Sequence, residues 1–362
     1  PLPLALTCSW DMELIEATAA FAAAAAAAEG LHQVYAPMID VARDPRWGRV
    51  AESPGEDTVL AARYAQAMTR GLQGNDFGVA DRVAACLKHF VAYGAPQSGR
   101  DYDNASVAWE ELIEVHLAPF TAGLEAGAAS VMASFNAVNK VPMHANARLI
   151  EGWLRAESGF AGLVVSDYTG VQELSAHGLG APDVVVARAL HAGIDMDMIG
   201  EDYLRELPQL ARHGVTAPEC DLHFTAKQIM DLIDRACGRV LDFKARLGLL
   251  SDPFHGLDGS VSAPPRAQGR TLARRAAAAG CVLLKNNGLL PLSDNRDLAL
   301  IGPFADDRAN MLGTWSVGGD AQDVVTLREA FCARKGVSLR YARGCNVVSS
   351  DWLSDRLNVH GR

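Results

Sequence analysis

Short apolar runs alternate with amphipathic stretches through most of the chain. Each run is rich in β-branched or aromatic residues and too short for a helix, and each is followed by residues with helical periodicity. The five runs of this kind cover residues 34–41, 84–91, 130–135, 162–168 and 194–198. Repeated β–α units of this length predict a parallel sheet covered by helices.

A barrel fits this pattern better than a doubly wound sheet. No Gly-x-Gly-x-x-Gly turn follows any of the runs, and polar residues stand at the carboxyl end of every one. Active sites of barrels collect side chains from many such ends. We therefore predict an α/β chain with a (β/α)8-like TIM barrel that is incomplete at its N-terminus, because only five of eight units are visible.

Composition along the chain divides it into three parts. Residues 1–250 carry the predicted catalytic barrel, and residues 251–270 are rich in Gly, Pro, Ser and Asp, as linkers are. Residues 271–362 predict the truncated beginning of an α/β sandwich domain, with strands at 281–286 and 298–304. The last residues, SSDWLSDRLNVHGR, match no pattern that we can assign.

Charge and cysteine content exclude several classes of protein. The 43 acidic residues outnumber the 33 basic ones, so a nucleic-acid-binding surface is not expected. No apolar run is long enough to span a bilayer, so no membrane partner is predicted. The seven cysteines include no Cys-x-x-Cys pair and indicate neither a metal site nor a disulfide framework. No cofactor is indicated.

The strand ends carry cations and carboxylates together. These candidates are Asp40, Arg43, Asp44, Arg46, Arg49, Lys88, His89, Arg100, Asp101, Asp103, Ser134, Asn136, Asp167, Asp195 and Asp197. Such a mixture suits a neutral molecule rich in hydroxyl groups, because Arg and Lys donate and carboxylates accept. It suits a phosphate poorly, since the acids would repel the anion.

Asp167 stands at the mouth of the buried run in GLVVSDYTG. Two interpretations remain open at this point: the carboxylate caps the next turn, or it lies below the anomeric carbon of a sugar as a nucleophile. In the second interpretation Asp167 has to be ionised, and a cation such as Lys88 or Arg49 would favour its charged form.

Several longer motifs resemble successive blocks of glycoside hydrolase family 3. They are YAPMIDVARDPRWGRVAESPGED, CLKHFVAYG, VMASFNAVNKVP, GLVVSDYTGV and AGIDMDM, supported by PLPLALTCSWD and AAAAGCVLLKNNGLLPL. The likeness is strongest to bacterial β-glucosidases. It implies a retaining, exo-acting enzyme that hydrolyses terminal non-reducing β-D-glucosyl residues of a β-glucoside or oligosaccharide through a covalent glycosyl–Asp intermediate.

The resemblance also assigns roles to individual residues. Asp167 would be the nucleophile. Arg49, Lys88 and His89 would bind the non-reducing-end sugar, Tyr168 would flank the aglycone, and Asp101 would brace the site. A sugar-binding Asp of the family would lie before Pro1, and its acid/base Glu would lie beyond Arg362. We therefore expect a fragment that holds the nucleophile half of the site. The Asn-Gly turn of the family reads Asn139-Lys140 here, which predicts a strained loop.

Other activities compete with β-glucosidase. β-Xylosidase or arabinosidase activity within the family stays open, as does a catalytically crippled fragment that only binds sugar. A lyase could use Lys88 as a Schiff-base amine. β-N-Acetylhexosaminidase is disfavoured because KHFVAYGAPQSGRDYD lacks the Gly-His-Gly run of those enzymes. The likeness suggests a periplasmic or secreted location and leaves a cytoplasmic one open. Linkage preference and oligomeric state are not predicted.

Overall fold

The computed structural model describes residues 1–218, 221–257, 259, 261–293, 296–313, 315–316 and 318–347. The chain forms two compact units, and the division falls between Val282 and Leu283. The unassigned tail at 349–362 and the end of the predicted second domain lie outside the described residues.

Five parallel segments lie side by side in the first unit, in the order of the chain. Three of them form the sheet β1 (Cys86–Phe90), β2 (Ser130–Ala133) and β5 (Leu163–Val165). The runs at 34–41 and 194–198 join through single bridges, Met38 to Lys88 and Val165 to Met196. All five predicted runs thus pair as neighbours, with all carboxyl ends at one edge.

Helices and short hairpins fill the rest of this unit. The helices are α1 Pro3–Thr7, α2 Met12–Ala28, α3 Thr58–Gln73, α4 Trp109–Glu111, α5 Ala118–Glu125, α6 Gly170–Ala176, α7 Pro182–Ala192, α8 Asp202–His213, α9 Ala226–Arg246 and α10 Arg266–Ala279. Two π-helical segments cover Leu112–Leu117 and Arg148–Glu157. The antiparallel pairs are β3 (Ala137–Val138) with β4 (Val141–Pro142) and β6 (Val215–Ala217) with β7 (Leu222–Phe224). None of the described helices is long and apolar enough to cross a membrane.

The core lies on both faces of the sheet. Leu87, Val131 and Val164 are register partners on one face and are fully buried in one apolar cluster with residues of the surrounding helices. Met132 and Val165, the next residues along β2 and β5, point to the other face and are buried in a second cluster. Burial on both faces explains why the strands read as continuous apolar runs without alternation. The polar side chains are left to the carboxyl ends of the strands.

The turn between β3 and β4 consists of Asn139 and Lys140, which have φ angles of +50° and +71°. Two successive positive φ angles are the geometry of a type I′ hairpin turn, in which the second residue is most often Gly. Asn139 fits because its amide group bonds the N–H and the carbonyl of Val107 at 3.1 and 2.9 Å. Lys140 has no such compensation from its side chain, so the expected strain is located there.

The described residues of the second unit include a β–α–β element. Strands β8 (Arg296–Ile301) and β9 (Val337–Ala342) pair in parallel, and α11 (Leu327–Cys332) lies between them in sequence. The predicted strand at 281–286 was wrong, because these residues are irregular and Leu284 is 92% exposed. Helix α10 belongs to the first unit, although its residues span the proposed boundary at 270. The boundaries at 250 and 270 remain proposals.

Candidate active site

Two predicted site residues meet at the carboxyl ends of β1 and β5. The Nε2 atom of His89 lies 3.7 Å from Oδ2 of Asp167. Both side chains are buried, with His89 1% and Asp167 8% exposed. Strands β1 and β5 are separated by β2 alone, so their ends open toward the same space. The sheet therefore brings together residues 78 positions apart in the sequence.

The backbone around Asp167 fixes the orientation of its carboxylate. The Tyr168 N–H donates to Oδ1 of Asp167 at 2.8 Å, and the Asp167 N–H donates to Nε2 of His144 at 3.0 Å. Oδ2, the oxygen that faces His89, is buried and has no hydrogen-bond partner among the described residues. Asp167 therefore does not cap a helix through this oxygen.

Burial raises the pKa of Asp167 above its ordinary value. His89 would act against this rise only with a charged ring, whereas the Tyr168 N–H, Arg49 and Lys88 act against it without cancelling it. Arg49 and Lys88 are thus within electrostatic reach of Asp167. The cations reduce the cost of burying the charge but leave the carboxyl easier to protonate than an exposed one.

Arg49 and Glu52 form a bidentate ion pair beside this space. The Nε and Nη2 atoms of Arg49 donate to the two Glu52 oxygens, each at 2.8 Å. The guanidinium carbon also lies 5.4 Å from the centre of the Tyr93 ring. Burial lowers the pKa of Arg49, but the bonds and charge of Glu52, together with Tyr93 and Asp40, outweigh burial and raise it, so the cation is permanent.

Lys88 is half-buried next to His89. Burial and the positive charge of Arg49 lower its pKa, whereas Cys86 and Asp167 raise it. Lys88 therefore lies within electrostatic reach of both Arg49 and Asp167. Its ammonium group is a donor to carboxylate and hydroxyl oxygens.

The remaining two predicted residues lie at the outer part of the site. Asp101 is exposed and accepts a hydrogen bond from Nε1 of Trp47 at 2.9 Å. Trp47 precedes Arg49 by two residues. Tyr168 is 57% exposed and is joined to Asp167 through its backbone. The structure brings Arg49, Lys88, His89 and Asp167 together and leaves Asp101 and Tyr168 near solvent.

Asp195 and Asp197 do not join the cluster around Asp167, although both follow the fifth run. Asp195 accepts from Arg155 at 2.6 Å, from Arg239 at 2.8 Å and from the Val164 N–H at 2.8 Å. Asp195 thus connects β5 to α9 and to the π-helical segment Arg148–Glu157. Asp197 accepts from the Asp202 and Tyr203 N–H groups at the start of α8.

Sequence reasoning gave no role to two residues that the structure places at the site. His144 accepts the Asp167 N–H, and burial lowers its pKa to about 3, so it is neutral. Tyr93 is buried between Arg49, His89 and Trp47. Neither stands at a predicted strand end next to a charged residue, so no local signal marked them. In the described part of the chain, no group of three or more His, Cys, Asp or Glu residues could hold a metal ion.

A protein-family comparison bears on this arrangement. Residues 1–232 match the model described as the glycosyl hydrolase family 3 N-terminal domain. The chain belongs to glycosyl hydrolase family 3. This membership confirms the predicted family and the α/β class with a TIM-barrel-like first domain.

Relatives with names and solved structures extend the family 3 comparison. The chain is 35% identical to a periplasmic beta-glucosidase of Salmonella typhimurium, over 99% of this chain and 47% of the relative. It is 31% identical to a putative beta-xylosidase of Formosa agariphila, over 94% of this chain and 44% of the relative. A beta-glucosidase of Listeria innocua in complex with laminaribiose superimposes with a TM-score of 0.87 at 33% identity, covering 99% of this chain and 49% of that one. The chain thus spans about half the length of the curated relatives it matches.

Proposed function

We propose that this chain carries the nucleophile half of a retaining, exo-acting β-glycosidase, with β-glucosidase as the best-supported activity. The observation that carries the proposal is the buried Oδ2 of Asp167, 3.7 Å from His89 and within the electrostatic reach of Arg49 and Lys88. A carboxylate with one unshared oxygen beside three polar or cationic side chains has what attack on an anomeric carbon requires.

In this proposal each predicted residue has a chemical task. Lys88 donates to hydroxyl oxygens of the terminal sugar, His89 binds a hydroxyl beside the nucleophile, and Arg49 supplies fixed positive charge. Asp101 braces the loop through Trp47, a support for the site and not a contact to the reacting atoms. The exposed ring of Tyr168 is available to the aglycone.

The reaction proceeds in two displacements. Asp167 donates an electron pair to the anomeric carbon while the bond to the leaving oxygen breaks, and that oxygen takes a proton from the acid/base Glu that the family resemblance implies. Water then attacks the glycosyl–Asp ester, gives its proton to the same Glu and releases Asp167. In retaining enzymes the two carboxyl groups are roughly 5–5.5 Å apart.

Relatives support a β-glucoside or β-linked oligosaccharide as substrate, because several are named beta-glucosidase and one structure contains laminaribiose. A second candidate, β-xylosidase activity, is favoured by the two Formosa agariphila relatives named for xylosidase activity, at 31% and 34% identity. The two substrates differ by one hydroxymethyl group. A pocket discriminates a methylene alone by roughly 10- to 200-fold, and a pocket that hydrogen-bonds the hydroxyl discriminates by about 10,000- to 100,000-fold.

The test uses an aryl glucoside that is fluorinated beside the anomeric carbon and carries a dinitrophenolate leaving group. Such a leaving group departs without a proton, so the acid/base Glu, typically worth about 100- to 10,000-fold, is not needed. Intact-mass spectrometry should detect one added glycosyl group, and peptide mapping should place it on Asp167. The Asp167→Ala variant is the control and should gain no mass. A folded wild-type chain that stays unlabelled would refute the proposal.

The corresponding fluorinated xyloside separates the two candidates. Faster labelling by the glucoside supports β-glucosidase activity, and faster labelling by the xyloside favours the second candidate. Because both reagents have the same leaving group, the ratio of their rate constants reports on sugar recognition alone.

A further inference from the structure

Asp40 is a buried carboxylate to which the proposed function assigns no task. It is 3% exposed and lies in the segment that pairs with β1. The Ile39 N–H donates to the Lys88 carbonyl at 2.7 Å, and this parallel pairing places Asp40 against His89. The position of Asp40 is therefore fixed by the sheet.

A single oxygen of Asp40 accepts both hydrogen bonds from His89. The backbone N–H of His89 lies 3.0 Å from Oδ2, and the ring atom Nδ1 lies 2.8 Å from the same oxygen. Oδ1 is buried and has no hydrogen-bond partner among the described residues, so a proton on the carboxyl would reside there. Oδ2 therefore remains an acceptor, and Nδ1 has to carry the hydrogen.

This bond decides what the other ring nitrogen can do. Burial and the Arg49 cation lower the pKa of His89 well below its usual range, so the ring is neutral. In a neutral ring with hydrogen on Nδ1, Nε2 is an acceptor. Nε2 faces Oδ2 of Asp167 at 3.7 Å. Two acceptors at this distance do not bond each other, and both can contact a hydroxyl group placed between them.

We propose that Asp40 is a positioning residue for glycosyl transfer to Asp167, because it holds His89 in the Nδ1–H tautomer. This tautomer makes Nε2 the acceptor of a substrate hydroxyl. In this tautomer Nε2 carries no hydrogen and cannot donate to Oδ2 of Asp167, so this oxygen is available for attack. The inference rests on the proposed function, since it concerns the same nucleophile.

Two variants and one control test the role of Asp40. Asp40→Leu removes the acceptor, whereas Asp40→Asn keeps an oxygen that can occupy the position of Oδ2. Ile39→Val is the matched control, since it removes one methyl group from the neighbouring buried residue and leaves the His89 bonds intact. Each protein is labelled with the fluorinated dinitrophenyl glucoside. The protonation of the His89 nitrogens is read from long-range proton–nitrogen correlation spectra of the folded chain without sugar.

We expect the wild type, Asp40→Asn and Ile39→Val to show hydrogen on Nδ1 and to label at rates within a few-fold of one another. Asp40→Leu should lose this tautomer preference and label roughly 10- to 100-fold more slowly, as after the loss of one hydrogen bond to a charged group. A purely structural role would alter thermal stability without changing the ring-nitrogen spectra of the folded protein.

Three results would overturn the inference: hydrogen on Nε2 of His89 in the wild type, unchanged labelling in Asp40→Leu, or equally slow labelling in Asp40→Asn while Nδ1 stays protonated. Failure of the proposed function gives a different result. In that case a folded wild-type chain is not labelled at all, and the proposed role of Asp40 in glycosyl transfer is refuted too. The ring-nitrogen spectra still show which His89 tautomer Asp40 selects.

Discussion

The backbone N–H of Asp167 donates a 3.0 Å hydrogen bond to Nε2 of the buried His144. A histidine from the 3-10 turn Met143–Ala145 after β4 thus holds the main chain at the end of β5. Because Nε2 accepts this bond, the hydrogen of the neutral ring is on Nδ1. His144 and His89 contact the same residue from two sides, one at the backbone and one at the carboxylate.

Truncation of His144 should destabilise the chain. His144→Ala removes the acceptor of a buried N–H and leaves a cavity, which together cost about 2–4 kcal/mol. Urea denaturation measures the loss, and the exposed His177 offers a control, since His177→Ala should change the stability little. Equal stability of the two variants would contradict a holding role for His144.

His144 should also make stability depend on pH. Its pKa is about 3 in the folded chain and about 6.5 when unfolded, so the unfolded chain binds a proton that the folded one does not. The free energy of unfolding should therefore fall on acidification from about pH 6.5 toward 3, by at most about 1.4 kcal/mol per pH unit. His144→Asn should flatten this slope, and an unchanged slope would contradict the prediction.

Asp40 should make the free energy of unfolding depend on pH in the opposite direction. Burial raises its pKa to about 7, above the unfolded value of about 3.9, so its contribution to stability is full below pH 3.9 and is lost as the pH rises to 7. Asp40→Asn should therefore be more stable relative to the wild type at pH 8 than at pH 4. Denaturation curves of both proteins at the two pH values measure this difference.

A methyl group on Gly170 would collide with the His144 ring. Gly170→Ala should displace that ring, destabilise the chain by about 1–3 kcal/mol and slow the labelling of Asp167. Gly238 in α9 is the matched control, because a methyl group there meets nothing within 4 Å. Gly238→Ala should stabilise the helix by about 0.5–1 kcal/mol. If both variants had the same stability, the ring contact would not matter.

The turn at Asn139 and Lys140 offers a gain in stability. Lys140→Gly should relieve the positive φ angle, and we expect a net stabilisation of about 0.5–1 kcal/mol after the larger entropy loss of Gly is counted. Asn139→Gly should have the opposite effect, because it removes both hydrogen bonds to Val107. Thermal unfolding of the two variants should therefore shift in opposite directions.

Asp195 should matter for stability and not for labelling. Asp195→Ala leaves Arg155, whose side chain is 7% exposed, without its buried partner, and we expect a loss of about 3–5 kcal/mol. The folded fraction should still label at the wild-type rate. Lys227→Ala breaks the exposed pair with Asp231 and should have almost no effect. Loss of labelling in folded Asp195→Ala would assign Asp195 to the site.

Some of the site could be predicted from strand ends alone. Asp167, Lys88 and His89 lie near the carboxyl ends of apolar runs, and parallel strands place these ends at one edge, so the three residues were expected to lie near one another. The same argument also placed Asp195 in the cluster around Asp167, but Asp195 instead pairs with Arg155 and Arg239. Adjacency to a strand does not say whether a side chain points into the barrel or toward the helices.

The sequence by itself determined the order of the parallel segments, because short apolar runs separated by helical periods have few ways to be buried. It also determined the family, through long motifs. Only the tertiary structure decided that Asp40 bonds His89, that His144 holds Asp167, and that Arg155 and Arg239 neutralise Asp195. Each of these contacts joins residues far apart in sequence, and whether a buried polar atom finds a partner depends on atomic distances that no local pattern encodes.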